Sequence, residues 1–400
     1  MGTNTRQRAV RRVVIIGGGI AGPVLGMWLR RAGLEVVLAE RRAGPARSEG
    51  AFLGVASNGM NVLKALGVEA QVYARGVPCT GFQFENAQGR PIGSIDRSQD
   101  LARFGAPLTM IRRGDLQDLL LEEALRRGVQ VRHGARLVAL DAPSSTGVTA
   151  HFEDGSREEG DVLVGCDGLR STTRRLLMPD APEPVFSGLW DYGGFASGVS
   201  APLTPGVNEM LFGSRAFFGA FVTPGGEAWW FHNGPSGPAE GDSAESARER
   251  LLALHRDDPA WVRDLLRATP TVLGPWPLYD LQDLPRWSKG RVCLVGDAAH
   301  AMSPSAGQGA SLAMEDALVL AMCLRDVDNP ERAFEVYERQ RRPRVEAIAA
   351  QARRNGSGKA PGGRASLWLR DLLLPLFLRF GGKAQSRGYA YRVDWESRVA

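Results

Sequence analysis

Apolar positions along the chain fall into two patterns. Val13-Val14-Ile15-Ile16 is a short unbroken run rich in β-branched residues, which predicts a strand buried on both faces. Similar runs lie at 162–164 and 292–295. After the first run, GPVLGMWLRRAG predicts a helix stopped at Gly33, and LEVVLAE a second strand ending at Glu40, so the local order is strand, helix, strand. Residues 186–234 change character: FSGLWDYGGFASGVS and NEMLFGSRAFFGAFVTPGGEAWWFHN alternate and are rich in aromatics. They predict an antiparallel sheet with one wet face, turning at Pro224-Gly225-Gly226.

Composition narrows the picture. Four hundred residues exceed what one core usually serves, so two domains are expected. The net charge is +5, but the basic residues are scattered, with no Lys/Arg block and no basic patch interleaved with aromatics. That argues against nucleic acid and for a basic surface that suits small anionic cofactors. Cys79, Cys166, Cys293 and Cys323 show no CxxC or Cys/His spacing, which predicts reduced core thiols in a cytoplasmic protein and no metal site. Arg11-Arg12 and the apolar stretch after them resemble a signal peptide, yet the glycine cluster reads better as strand, turn and helix. The most apolar later segment, SLWLRDLLLPLFLRF, is interrupted by Arg370, Asp371 and Pro375, so no membrane span is expected.

Gly17, Gly19 and Gly22 follow the first strand at G-x-G-x-x-G spacing. This arrangement allows a tight turn, close approach of backbone to a pyrophosphate, and close helix–strand packing, with the helix N-terminus facing the phosphates. Glu40, followed by Arg41, stands where a carboxylate can hold a ribose 2′-hydroxyl and repel a 2′-phosphate. The site should take FAD or NAD. In DVLVGCDGLRSTTRR a buried strand ends at Asp167-Gly168, before a helical start at Ser171 and Arg174. In GRVCLVGDAAHAMSPSAGQGASLAMED another strand ends at Gly296-Asp297, before Pro304, Gly307-Gln308-Gly309 and a helix.

Taken in order, GxGxxG, DGxxSxxR and GDAAHxxxPxxGQG resemble the single-component (group A) flavoprotein aromatic hydroxylases, which include the para-hydroxybenzoate hydroxylase and tetracycline-inactivating types. The resemblance implies one non-covalent FAD in an extended pose. It assigns Asp297 to the ribityl chain, Pro304 to Gly309 to the flavin ring, and Asp167 and Gly168 to a loop near both FAD and a transient NADPH or NADH. Arg113, with Gln117 one helical turn on, matches the family's FAD-contacting Arg. Where many relatives carry Asn this chain has Ser311. Independently, a helix beginning near Gly309 aims free N–H groups at any electron-rich ring placed there. His300 reads as structural. Glu315-Asp316 reads as a surface or capping pair, because adjacent helical positions do not face each other.

The expected fold is α/β. A Rossmann-like FAD-binding domain with a mixed sheet (1–75, 97–185 and 275–360) carries a second α+β substrate domain on an antiparallel sheet (76–96 and 186–274). Residues 361–400 form a helical bridge after a flexible GSGKAPGGR joint. Tyr192, Phe195, Phe212, Phe217, Phe221, Trp230 and His232 are candidates to line a pocket, although aromatics mainly fill cores. Arg215 could hold a substrate anion or the flavin edge, or face solvent. No catalytic side chain is assigned. The reading is an NAD(P)H-dependent monooxygenase, monomeric or homodimeric, that hydroxylates or epoxidises a hydrophobic aromatic or polycyclic molecule with O2 through a flavin C4a-hydroperoxide. The alternatives are a small-phenol hydroxylase, a dehydrogenase or reductase on the same scaffold, and a flavin-holding protein without turnover.

Overall fold

The computed structural model describes residues 10–46, 50–141, 147–199, 202–235, 237–238, 243–357 and 386–399. The β-branched runs form a six-stranded sheet in the order Ser288–Lys289, Val292–Leu294, Val162–Gly165, Arg12–Ile16, Glu35–Glu40 and Gln130–His133. Every neighbouring pair is parallel except Ser288–Lys289 beside Val292–Leu294. Parallel strands need cover on both faces, and these are covered: Val13, Val14, Ile15, Val162, Leu163, Val164, Cys293 and Leu294 are all fully buried. The helix Ala21–Arg31 ends as its sequence suggests, with Gly33 at φ +82° and its N–H on the Arg30 carbonyl. The long helix Gly309–Asp326 packs against it and is buried on every side after its first turn.

Register decides what this sheet presents. Ile16 lies opposite Gly165 and Gly165 opposite Leu294, so three strands far apart in sequence finish side by side. The loops after them, at 17–22, 167–171 and 296–309, leave from one carboxyl edge, where open α/β sheets bind ligands.

The aromatic region forms a seven-stranded sheet in the order Leu273–Asp280, Val185–Ala196, Ala228–Gly234, Phe217–Val222, Val207–Phe212, Gly81–Asn86 and Pro91–Asp96. The strand Leu273–Asp280 runs past the boundary set at 274. The turn at 224–226 is present, with Gly226 at φ +82°. One pair departs from the antiparallel expectation: Val207–Phe212 runs parallel to Gly81–Asn86, because the two segments are distant in sequence and joined by a crossover, not a hairpin. One face packs on the helices Ala244–Leu254 and Ala260–Ala268 through Tyr192, Phe218, Trp230, Leu251 and Leu265. The other faces the strand Phe52–Val55, with Phe52 5.6 Å from Trp229 and 6.1 Å from Phe231, ring centre to ring centre.

Residues 358–385, which include most of the joint and the expected helical tail, lie outside the described residues. Residues 386–399 join both cores: Trp395 stacks on Trp28 at 4.7 Å, and Tyr389 packs in a cluster with Phe221 and Trp229. Among the described residues, no helix is long and apolar enough to cross a membrane.

On the helix-backed face, Glu209 is pushed up to about 7, first by burial and then by the nearby Glu85 carboxylate. Because the folded value exceeds the unfolded one, the native state binds more protons, and stability falls as pH rises from about 4.5 to 7. Replacing Glu209 by Gln should flatten that slope and raise the denaturation midpoint at pH 8, measured by chemical unfolding across pH.

Candidate active site

The first loop is built by collision and by clearance. A Cβ on Gly17 would strike the Cys166 carbonyl, and one on Gly22 the Gly17 carbonyl, so both positions exclude a side chain for packing reasons. Gly17 also holds φ +109°, where only glycine is at ease. Gly19 differs: a Cβ there meets no protein atom within 4 Å. The same holds for Gly168, Gly307 and Gly309. All four motif glycines therefore border open space, as a flat or phosphorylated ligand in backbone contact requires.

Glu40, 5% exposed, closes the loop from the second strand. Its Oε2 accepts from the Gly18 N–H at 2.6 Å, and its Oε1 accepts from the Arg42 N–H at 2.9 Å and Nε at 3.0 Å. Burial would raise this carboxyl, but the Arg42 N–H and guanidinium and the Gly18 N–H outweigh it and hold it below the ordinary value. Arg42, not Arg41, makes this pair, and Arg41 is exposed. Gln117 donates from Nε2 to the Gly18 carbonyl at 3.0 Å, supporting the loop from the helix Arg113–Arg126. Arg113 is exposed at the start of that helix, with its stem against Gly50.

The helix Ala21–Arg31 has no side-chain cap, and neither does Gly309–Asp326. Their first-turn N–H groups remain free for a ligand's phosphates or ring oxygens. The middle loop is spent on itself: Asp167 accepts from Ser171 Oγ at 2.5 Å and from Thr173 N and Oγ1 at 2.9 and 3.0 Å, and Ser171 caps the short helix through Arg174 N–H. Arg174, 1% exposed, then donates to the Ala298 carbonyl at 2.9 Å and the Leu169 carbonyl at 2.7 Å. That guanidinium ties the middle loop to the late one. Asp297 is exposed and makes no hydrogen bond among the described residues. A free carboxylate, uncapped helix starts and open glycines together fit an extended dinucleotide. Pro304 and Gly307 are exposed and Gln308 is buried in the same late loop.

Behind that loop the structure corrects one expectation. Glu315 and Asp316 are fully buried, not a surface or capping pair. Adjacent helical positions point in different directions, but the single guanidinium of Arg341 reaches both. Its Nε lies 2.7 Å from Asp316 Oδ1 and its Nη2 2.7 Å from Glu315 Oε2. Arg344 grips Glu315 with two hydrogen bonds at 2.8 and 2.7 Å, and His300 Nε2 lies 2.6 Å from Asp316. Burial would raise the Asp316 carboxyl, but His300 and Arg341 hold it below its ordinary value. Sequence spacing missed Arg341 and Arg344 because they come from the helix Pro330–Ser357. Ser311 accepts from the Ala56 N–H at 3.1 Å and packs against Gly59.

The aromatic candidates divide by face. Phe195, Phe212, Phe217 and Phe221 lie on the face turned toward Phe52, with Trp229 and Phe231, which alternation alone did not single out. Tyr192, Trp230 and His232 lie on the opposite face, against helices, and do not join that wall. His232 instead bonds His255 at 2.8 Å, which bonds Asp258 at 2.7 Å, and burial beside His255 holds His232 well below its ordinary value and neutral. Arg215 pairs with Asp257 at 2.6 Å at the tip of a hairpin, away from the wall. A residue that sequence reading missed, Arg112, lies 3.9 Å over the Phe195 ring and 2.5 Å from Glu227, whose other oxygen accepts from Trp229 Nε1 at 2.7 Å. The strand Phe52–Val55 links this wall to the late loop: Phe52 is on the wall, and Ala56 bonds Ser311 four residues on, about 13 Å at strand rise.

The chain is similar to known proteins over most of its length. The FAD binding domain family matches residues 11–352. Aurachin C monooxygenase/isomerase of Stigmatella aurantiaca is 34% identical over 367 residues, covering 90% of this chain and 93% of that protein. The 3-amino-4-hydroxybenzoate 2-monooxygenase PtmB3 of Streptomyces platensis is 34% identical over 353 residues, 86% of this chain and 87% of that protein. Among solved structures, Klebsiella pneumoniae HpxO complexed with FAD and uric acid superposes with a TM-score of 0.86 at 23% identity, covering 96% of this chain and 98% of that one.

Two outcomes follow. Gly19→Ala should leave the unfolding midpoint of FAD-stripped protein unchanged and weaken FAD retention, whereas Gly22→Ala should lower the midpoint itself, as thermal melts with and without FAD would read. Arg341→Met leaves two buried carboxylates short of a partner and should cost about 3–5 kcal/mol in chemical denaturation.

Proposed function

Since this chain belongs to the family of FAD-dependent monooxygenases, which its match over residues 11–352 and its 34% identical relatives establish, we propose that it is an NAD(P)H-dependent enzyme that hydroxylates or epoxidises a flat, hydrophobic aromatic or polycyclic molecule. The observation that carries this reading is the pairing of an open-glycine edge on one sheet with an aromatic wall on the other, joined by the strand Phe52–Val55.

In this reading the free N–H groups at the start of the helix Ala21–Arg31, beside Gly19, hold the pyrophosphate, and Glu40 with Arg113 flanks the adenosine side. Asp167 and Gly168 border the nicotinamide's approach. Asp297 accepts from the ribityl hydroxyls, while Pro304, Gly307, Gln308 and Gly309 give backbone contact to the ring. Bound flavin supplies the electron transfer from the nicotinamide and the activation of O2. The chain's own contribution is placement and dryness. The uncapped start of Gly309–Asp326 favours negative charge on the ring. Phe52, Phe195 and Phe231, which keep part of their surface free, stack a planar substrate, and the buried Phe217, Phe221 and Trp229 back them and exclude water.

The wall's described charged groups already have partners within the protein, Arg112 in an ion pair with Glu227 and Asp191 in a hydrogen bond from the Asn233 amide. That supports a large neutral substrate over a small benzoate-like one, the alternative suggested by the name of the second relative. The test is turnover of the FAD-loaded protein with NADH or NADPH, labelled O2 and a panel of polycyclic aromatics and small phenols. One labelled oxygen should appear in a polycyclic product, with nicotinamide oxidation stimulated by that substrate. Nicotinamide oxidation with product of unchanged oxygen content would instead identify a dehydrogenase.

A further inference from the structure

Glu315 is enclosed by guanidinium groups: Arg344 contacts both of its oxygens at 2.8 and 2.7 Å, and Arg341 adds a contact at 2.7 Å. So held, its carboxylate can only accept hydrogen bonds. Its Oε1 lies 2.6 Å from the side-chain amide of Asn58, a residue 1% exposed. Asn58 must therefore present its N–H2, because its carbonyl oxygen would face a carboxylate. The same nitrogen lies 3.0 Å from the side-chain amide of Gln308, so Gln308 must present Oε1 to it. The N–H2 of Gln308 is then turned away from this chain of bonds and has no partner among the described residues. Gln308 directly precedes Gly309, where an uncapped helix begins and a Cβ would meet open space.

We propose that Glu315 and Asn58 are positioning residues that fix the Gln308 amide as a hydrogen-bond donor toward the flavin ring. The inference rests on the reading that this loop borders the ring. A relay that starts at Arg344 reaches the cofactor as a defined polarity, in which each partner has one permitted orientation. Two kinds of donor, the helix N–H groups and this amide, then converge where electron density rises on reduction. Donors in that place stabilise the reduced ring more than the oxidised one, and so raise the midpoint potential. Neither Asn58 nor Glu315 touches the ring in this scheme. They act through Gln308.

The experiment measures FAD dissociation constant and midpoint potential in the FAD-loaded protein and in Asn58→Leu, Asn58→Asp and Gln308→Glu. Asn58→Leu adds no charge and frees the amide to turn, so its potential should fall. Asn58→Asp offers only acceptors, forces Gln308 to turn its N–H2 inward, and should shift the reduction equilibrium about tenfold toward the oxidised form, ~30 mV for a two-electron couple. Gln308→Glu should lower the potential at least as far. Adding Asn58→Leu to Gln308→Glu should change nothing more, because the donor is already gone. A wild-type potential in Asn58→Leu overturns the proposal, since a fall confined to Asn58→Asp would be the effect of added charge alone. A further fall in the double variant also overturns it. Failure of the unaltered protein to bind FAD would instead refute the functional reading beneath it, and that is read before any variant is made.

Discussion

The shared register of three parallel strands is the constraint on which the rest of the molecule depends. Ile16, Gly165 and Leu294 are neighbours only because their strands pair residue for residue, buried on both faces. A slip of one residue would swap side chains between two differently packed faces and move the point where a loop leaves the sheet by about 3.3 Å. Apolar burial thus fixes the height at which each loop leaves the sheet, and Arg174 ties two of those loops together through the Ala298 and Leu169 carbonyls. Placement of the edge that carries the three loops is a by-product of core packing.

A second layer of order lies behind that edge. Asp316, Glu315, Arg341, Arg344 and His300 bring five charged or titratable groups into one largely buried cluster. Such a cluster contributes little net stability over a well-packed apolar one, because desolvation offsets attraction. What it supplies is direction. Asp316 accepts from His300 and from the Gly296 N–H at the late loop, and Glu315 engages Asn58. Arg344 also donates to the Gly388 carbonyl at 2.9 Å and lies 3.9 Å over the Tyr391 ring. Residues 388–391 are therefore held by the same charges that back the late glycine loop.

The seven-stranded sheet separates two uses of aromatic residues. One face builds a helix-backed core around Trp230 and Phe218, and the other offers Phe195, Trp229 and Phe231 to the strand Phe52–Val55. Gly219 is part of that second face: a Cβ there would collide with the Phe231 ring, so the missing side chain makes room for an aromatic one. A wall of this kind positions a planar molecule by area and shape more than by charge, which suits chemistry that needs an oriented, dry substrate.

The sequence by itself determined the strand–helix–strand order, the glycine loops, the buried parallel strands, the family, and the turn at 224–226. These are legible because each is written in local spacing: glycines two and three apart, unbroken β-branched runs, a Pro-Gly-Gly turn. Only the tertiary structure decided which phase of the alternating strands faces inward, and so moved Tyr192, Trp230 and His232 off the wall and brought Trp229 and Phe231 onto it. It also decided that Glu315 and Asp316 are buried, because their partners arrive from a helix some 25 residues later, and that Arg215 meets Asp257 while Arg112 meets Phe195 and Glu227. Periodicity specifies that a strand has two faces. Which face meets which neighbour depends on contacts between distant segments, and local spacing carries no record of those.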